Sequence, residues 1–289
     1  MLWLLVRAPA GPPLPVRAQR LWFDLVSAIN GSRHGLGRAA VDAGGVPAER
    51  VDGARAPEAP VILYLHGGAY CLHSPRIYRP LTASLAHGAG ATLYALHYRR
   101  APEHPCPAAI EDALAAYRWL LDRGVEPGRI AFAGDSAGGG LSVATAAEAR
   151  AAGLPMPAAL ALISPWVDLG LSGDSMRTKA RYEVVMRATW LDVSSRMYRD
   201  TLPPDDPRCS PLFADLGGLP PTLIQSGSND ILLSDSERLA ARLAAAGVET
   251  ELEVHDGMHH VFQDEPVMLP EAEAALQGIC GFLHARWGG

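Results

Sequence analysis

From about Val61 onward the chain alternates short apolar runs with longer stretches of helical periodicity, and nothing else in it constrains the fold as strongly. The runs Val61 to Leu65, Thr92 to Tyr98, Arg129 to Gly134, Ala159 to Ser164, Thr222 to Gly227 and Glu249 to His255 read as strands. Several are apolar at nearly every position, as strands buried on both faces of a parallel sheet must be. Helices are expected around 107–123, 137–152, 234–246 and 270–286. Strand then helix, repeated, gives an α/β fold with a mostly parallel central sheet, flanking helices and right-handed crossovers. Ser234 with Glu237 reads as a capping box ahead of Leu239, Leu243 and Val248, which places Asp230 in a strand-to-helix loop.

Two stretches break the alternation, residues 1 to about 50 and about 170 to 208. An amphipathic helix is expected over Arg20 to Ile29 in the first; the second carries Trp190, Val193 and Met197 at helical spacing behind the candidate N-cap Thr189. Both read as additions outside the carboxyl ends of the strands, hence as a helical cap. The expected division is 1–50 as the N-terminal part of the cap and 51–289 as the catalytic domain, with 170–208 inserted as the second part of the cap.

Composition narrows the function. Apolar residues make up 48% of the 289 and charged residues 19%, which fits a globular chain and not a disordered one. A net charge of -6 with no block of Lys or Arg excludes a nucleic-acid partner. Cys71, Cys106, Cys209 and Cys280 are too dispersed for a zinc knuckle or a disulfide framework. The apolar start Leu2 to Val6 meets Arg7 without a basic leader, and no run approaches the roughly 20 residues of a membrane span, so a cytoplasmic protein with no stable membrane anchor is expected.

The chemistry concentrates in Gly134-Asp135-Ser136-Ala137-Gly138-Gly139, a G-x-S-x-G motif where a buried strand meets a helix. Such a nucleophile elbow needs small neighbours because the turn is tight, and it lifts the serine hydroxyl above the sheet. A glycine-rich turn could instead cradle a phosphate, but no G-K-[ST] follows and no acidic residue stands at the spacing of a ribose-binding site. His66-Gly67-Gly68-Ala69 directly follows a strand, and the amides of Gly67, Gly68 and Ala137 are the expected oxyanion hole. Asp230 and His260 follow later strands, in the chain order serine, acid, histidine. His255, His259 and His260 crowd one loop but lack metal-ligand spacing, so no metal is expected. Asp235, just inside a helix, is explained by the helix dipole, which leaves Asp230 as the orienting acid.

Together with these motifs, Tyr98-Arg99, Ala101-Pro102-Glu103, Pro107-Ala108-Ala109, Glu111-Asp112-Ala113, Ser164-Pro165-Trp166, Ser210-Pro211-Leu212 and Gly257-Met258 resemble the bacterial branch of the hormone-sensitive-lipase-like α/β-hydrolase esterases. The resemblance runs from about residue 60 to the C-terminus. It assigns the triad histidine to the His of His260-Val261-Phe262 over His259, and the acid to Asp230-Ile231-Leu232. The sequence departs from that pattern at Ala69 in place of a third glycine, at His97 in place of an Asp, and at Ser234 in place of a second acid. The resemblance implies an α/β-hydrolase fold and a cofactor-free serine carboxylesterase with a Ser136-His260-Asp230 triad, acting on short- to medium-chain esters. Ala69, Tyr70, Trp166, Trp190 and Met186 are the expected substrate contacts. The partner is then a small-molecule ester, with a homodimer compatible. A lactone or amide hydrolase or an acyltransferase would use the same triad, and a ligand-binding protein on an inactive hydrolase fold is the remote alternative.

Overall fold

The computed structural model describes residues 10–27, 35–53, 58–264 and 269–288. Its elements run α1 (Val16–Ser27), β1 (Arg38–Asp42), β2 (Pro47–Asp52), β3 (Val61–Leu65), α2 (Arg79–Gly88), β4 (Thr92–Leu96), α3 (Ala108–Asp122), β5 (Ile130–Asp135), α4 (Ala137–Ala151), β6 (Ala159–Ile163), α5 (Ser175–Thr178), α6 (Ala188–Arg199), β7 (Thr222–Gly227), α7 (Leu233–Ala245), β8 (Thr250–His255) and α8 (Pro270–Arg286). One eight-stranded sheet has the order β1-β2-β4-β3-β5-β6-β7-β8. β2 runs antiparallel to both β1 and β4, and every pairing from β4 to β8 is parallel.

The all-apolar runs do become the interior strands, since β3, β5 and β6 are buried at every residue. Alternate side chains feed two cores. Leu63, Leu65, Phe132 and Ile224 pack against Ile110, Tyr117, Leu141, Leu239 and Leu243 of α3, α4 and α7. Ile62, Tyr64 and Leu93 face Leu81 and Leu85 of α2 and Leu276, Ile279 and Leu283 of α8. Burying each such leucine or isoleucine stabilises the sheet by about 1.5–3 kcal/mol, which fixes the register on both faces.

Several expectations are corrected. Residues 38–50, expected in the cap, belong to the β1-β2 hairpin (38–52) at the sheet edge, so the boundary at residue 50 cuts through a sheet strand. Gly44 and Gly45 turn the hairpin at φ 73° and 88°, with the Ala43 amide bonded to the Val46 carbonyl. α2 was not expected. Arg129 lies in a 3-10 turn ahead of β5, and β4 stops at Leu96. Thr189 is not the cap of α6, whose N-cap is Arg187, and Ser234 lies inside α7, where its Oγ accepts the Ser175 amide at 3.0 Å. The helix foreseen near Arg20 to Ile29 is α1; Ala28 and Ile29, like Leu2 to Val6, fall outside the described residues.

Candidate active site

β5 ends at Asp135, and the next residue, Ser136, adopts φ 53°, ψ -121° before α4 begins at Ala137. A non-glycine residue held there costs about 1–3 kcal/mol, so the surrounding structure must over-determine it. It does: the Ser136 amide donates to the Ile163 carbonyl at 2.8 Å, while the Ser136 carbonyl accepts from Trp166 at 2.9 Å and Gly140 at 3.1 Å. The glycines of the motif serve close approach. A Cβ on Gly138 would overlap the Leu65 carbonyl, and one on Gly140 the Trp166 carbonyl.

The acid and the histidine arrive on loops after β7 and β8. Asp230 Oδ1 accepts the Leu232 amide at 2.7 Å, and Asp230 Oδ2 lies 3.0 Å from His260 Nδ1, both residues buried. Ser164 Oγ holds the next residue, accepting the Val261 amide at 3.2 Å. Burial alone would lower the His260 pKa, but the Asp230 carboxylate, with Glu183 and Asp135 behind it, more than reverses this and leaves the imidazole more basic than usual. His259 is only half-buried and lies outside that pair. Asp235 is spoken for elsewhere: its Oδ2 accepts the amides of Val167 and Asp168, each at 2.9 Å, and burial pushes its carboxyl up to about 7. Its role is thus to hold the loop after β6 rather than only to offset a helix dipole.

The oxyanion strip needs one correction. The Gly67 amide donates to Asp135 Oδ1 at 2.8 Å, so it is not available as an oxyanion donor. The same carboxylate oxygen accepts the Tyr64 hydroxyl at 2.6 Å, and burial pushes Asp135 up to about 6 despite the opposing pull of Tyr64, Tyr78 and the Gly67 amide. Among the described residues no partner takes the amides of Gly68, Ala69 or Ala137, the last lying in the unsatisfied first turn of α4. The strip is bent sharply, with Gly68 at φ 105° and Ala69, Tyr70 and His73 at 52°, 58° and 57°. Each of the three non-glycine residues costs about 1–2 kcal/mol in that region. His66 is structural: it is buried, stacks on Tyr98 at 4.3 Å, and burial lowers its pKa so that it stays neutral.

Of the expected substrate contacts, three are enclosed. Tyr70 stacks on Tyr198 of α6 at 3.7 Å, the Trp166 indole N-H donates to the Asp168 carbonyl, and Trp190 is 4% exposed. Met186 instead lines a cavity of about 190 Å³ with Ala180, Arg187, Ala188, Thr189 and Ile231, the last being the neighbour of Asp230. Sequence reasoning gave no role to Asp135, although it stood inside the motif, and none to Glu183. Buried between the cap and the acid loop, Glu183 accepts the Val185 and Met186 amides, and burial followed by Asp230 raises its pKa. A lone acid in a segment of no clear periodicity carried no signal. Arg99, whose partner at position 97 is a histidine here, pairs with Asp112 and Glu111. No metal-ligand cluster occurs among the described residues.

A family model for the α/β hydrolase fold matches residues 62–264. A solved esterase of the bacterial hormone-sensitive lipase family superposes with a TM-score of 0.93 at 39% identity, covering 99% of this chain and 97% of that one. The chain belongs to the hormone-sensitive-lipase-like α/β-hydrolases. A hormone-sensitive lipase from a metagenome library gives a TM-score of 0.94 at 41% identity over 99% and 97% of the two chains. Among relatives in this family, an acetyl-hydrolase of Streptomyces hygroscopicus is 44% identical over 78% of this chain and 76% of its own length. An esterase of Acinetobacter venetianus is 37% identical over 82% and 78%. With this family and these relatives, the protein is a carboxylic-ester hydrolase.

Proposed function

We propose that this carboxylic-ester hydrolase works through an acyl-enzyme on Ser136, with His260 as general base and then acid and Asp230 as its orienting partner. The observation that carries this is the 3.0 Å contact of His260 Nδ1 with Asp230 Oδ2, in a chain whose Ser136 stands at the strained elbow. With Nδ1 engaged by the carboxylate, Nε2 is the nitrogen that takes the Ser136 proton as the hydroxyl attacks the ester carbonyl. The amides of Gly68, Ala69 and Ala137 then stabilise the tetrahedral oxyanion, each donor being worth about 3 kcal/mol. The imidazolium protonates the leaving alcohol, and water repeats the cycle on the acyl-enzyme.

The substrate is an ester of short to medium acyl length. The cap segment 170–208 carries the large apolar side chains Met186 and Trp190, and Ala69 adds a methyl in the oxyanion strip, which favours a short acyl group. The name of the Streptomyces relative points to the same acyl size. No described helix is long and apolar enough to cross a membrane, and the four cysteines are buried free thiols, which fits a cytoplasmic enzyme. β8 leaves a sheet edge unpaired among the described residues, with Leu252 and Val254 37% and 43% exposed, and a second copy would pair there. Stoichiometric labelling of Ser136 by an organophosphate, with p-nitrophenyl esters of graded length beside a matched amide and lactone, tests the reading. Failure to label, or faster turnover of the amide or lactone, would overturn it.

A further inference from the structure

The loop that carries the oxyanion amides holds three non-glycine residues in the left-handed region within five positions, Ala69, Tyr70 and His73. Backbone of that kind relaxes unless something outside the loop holds it, and its persistence at a reaction centre points to a clamp. The internal bonds are few: the Cys71 and Leu72 amides return to the Gly68 carbonyl, and the Ala101 amide donates to the Tyr70 carbonyl. Outside the loop, Tyr198 stacks on Tyr70 and the Tyr78 hydroxyl lies 3.0 Å from His73 Nδ1, and α1, some fifty residues away in sequence, adds a grip on the backbone itself. Arg20 Nε donates to the Cys71 carbonyl at 2.8 Å, and its Nη2 donates to the Ala101 carbonyl at 2.7 Å. One guanidinium thus ties together the two backbone segments that the Ala101-Tyr70 bond joins. Three residues along the same helix, Phe23 sits edge-on to His73 with ring centroids 4.6 Å apart. The Arg100 side chain also bonds the His73 carbonyl. Arg20 is itself held by Glu103, at 2.8 Å and 3.0 Å, and is only 17% exposed.

We propose that α1 holds the oxyanion loop in its reactive conformation, with Arg20 as a positioning residue for Gly68 and Ala69 through its fork onto Cys71 and Ala101. This deepens, and rests on, the reading that those amides bind the oxyanion. A helix that only covered the pocket would act on substrate binding. A helix that shapes the oxyanion strip acts on the transition state, because those donors strengthen their bonds only as the negative charge develops. Arginine suits the task because its planar fork meets two carbonyls at fixed separation, which a lysine cannot do.

The test compares wild type with Arg20→Ala, Phe23→Leu, Glu103→Gln and Leu21→Ala in the full chain. Each is assayed on p-nitrophenyl butyrate and titrated with a trifluoromethyl ketone, whose serine adduct carries an oxyanion, and with the matching methyl ketone. For Arg20→Ala, kcat is expected to fall about 10- to 100-fold with KM within about twofold, less than the 10²–10³ cost of deleting a donor outright. Affinity for the trifluoromethyl ketone falls in parallel, while that for the methyl ketone is unchanged. Phe23→Leu keeps apolar volume but loses the ring on His73, and shows the same selective loss to a smaller degree; it decides the matter if Arg20→Ala does not fold. Leu21→Ala alters a side chain 71% exposed on the same helix and stays near wild type, while Glu103→Gln, which removes the ion pair holding Arg20, shows at most a partial loss of the same selective kind. Unchanged kcat in Arg20→Ala, equal losses for the two ketones, or a Leu21→Ala defect as large as that of Arg20→Ala overturns the proposal. If the wild-type enzyme itself does not prefer the trifluoromethyl ketone, the oxyanion reading fails and takes the proposal with it; stoichiometric organophosphate labelling would still show whether Ser136 is the nucleophile.

Discussion

Two aspartates five residues apart illustrate how burial and partners divide chemical roles. Asp230 meets His260 and Asp235 meets two backbone amides, so their variants separate. Asp230→Asn is expected to cost about 10⁴ in kcat by leaving the imidazole in the wrong tautomer, whereas Asp235→Asn keeps catalysis because an amide oxygen still accepts the Val167 and Asp168 amides. The second change shows in stability. The Asp235 carboxyl rises from 3.8 unfolded to about 7 folded, so the folded state holds the proton more tightly. Its contribution is full below pH 3.8 and is lost as pH rises through about 7, and Asp235→Asn removes that slope from a plot of Tm against pH. Equal activity losses in the two variants would move the triad acid into doubt. Ser136→Ala should lose about a millionfold in kcat, and His260→Ala should be nearly inactive while His259→Ala retains most turnover. The basic shift of His260 places the acid limb of kcat/KM above the ordinary histidine value of 6.5, since protonation removes the base. An acid limb centred below 6.5 would contradict that electrostatic account.

At the level of elements, β3, β5 and α4 converge on the elbow, and their approach depends on missing side chains. Gly138 sits against the Leu65 and His66 carbonyls at the end of β3, where the oxyanion strip starts. Gly138→Ala should therefore push α4 away from β3, lowering both Tm and kcat. Gly128→Ala is the control, because a Cβ there meets nothing within 4 Å. Comparable Tm values for the two would show that the close approach is not needed. Pattern at this scale was legible where both faces of an element are buried: β3 and β7 have the limits read from the sequence. The β1-β2 hairpin was not, because its strands are mixed in polarity, Arg38-Ala39-Ala40-Val41-Asp42 and Pro47-Ala48-Glu49-Arg50-Val51-Asp52. β1 is held by pairing with β2, and β2 by pairing with β4 and by Glu49 with Arg79, partners from distant sequence, while Arg38 pairs with Glu49 across the hairpin.

For the molecule as a whole, the cap proposed from α1 and the segment 170–208 would set which substrates reach the site. Activity across p-nitrophenyl esters should peak at short to medium chains, and removal of residues 1–30 should lower Tm and depress turnover of every ester, since α1 contacts the loop at Cys71 and His73. A peak at long chains, or a truncated enzyme with an unaltered profile, would show that these segments do not form the cap.

The elbow and the parallel core were readable in the chain because each follows from local chemistry: a tight turn needs glycine, and a doubly buried strand needs apolar residues throughout. What tertiary structure decided was every assignment that depends on which distant group takes a hydrogen bond. The Gly67 amide looked free until Asp135 was found beneath it, and the Ser234-Glu237 pair looked like a cap until Ser175 took the serine. Arg20 looked like one charge on an amphipathic helix, and only the folded chain brings its guanidinium onto the Cys71 and Ala101 carbonyls. Local sequence fixes where a donor or acceptor can stand; its partner, drawn from fifty or more residues away, is chosen only when the sheet and cap close around it.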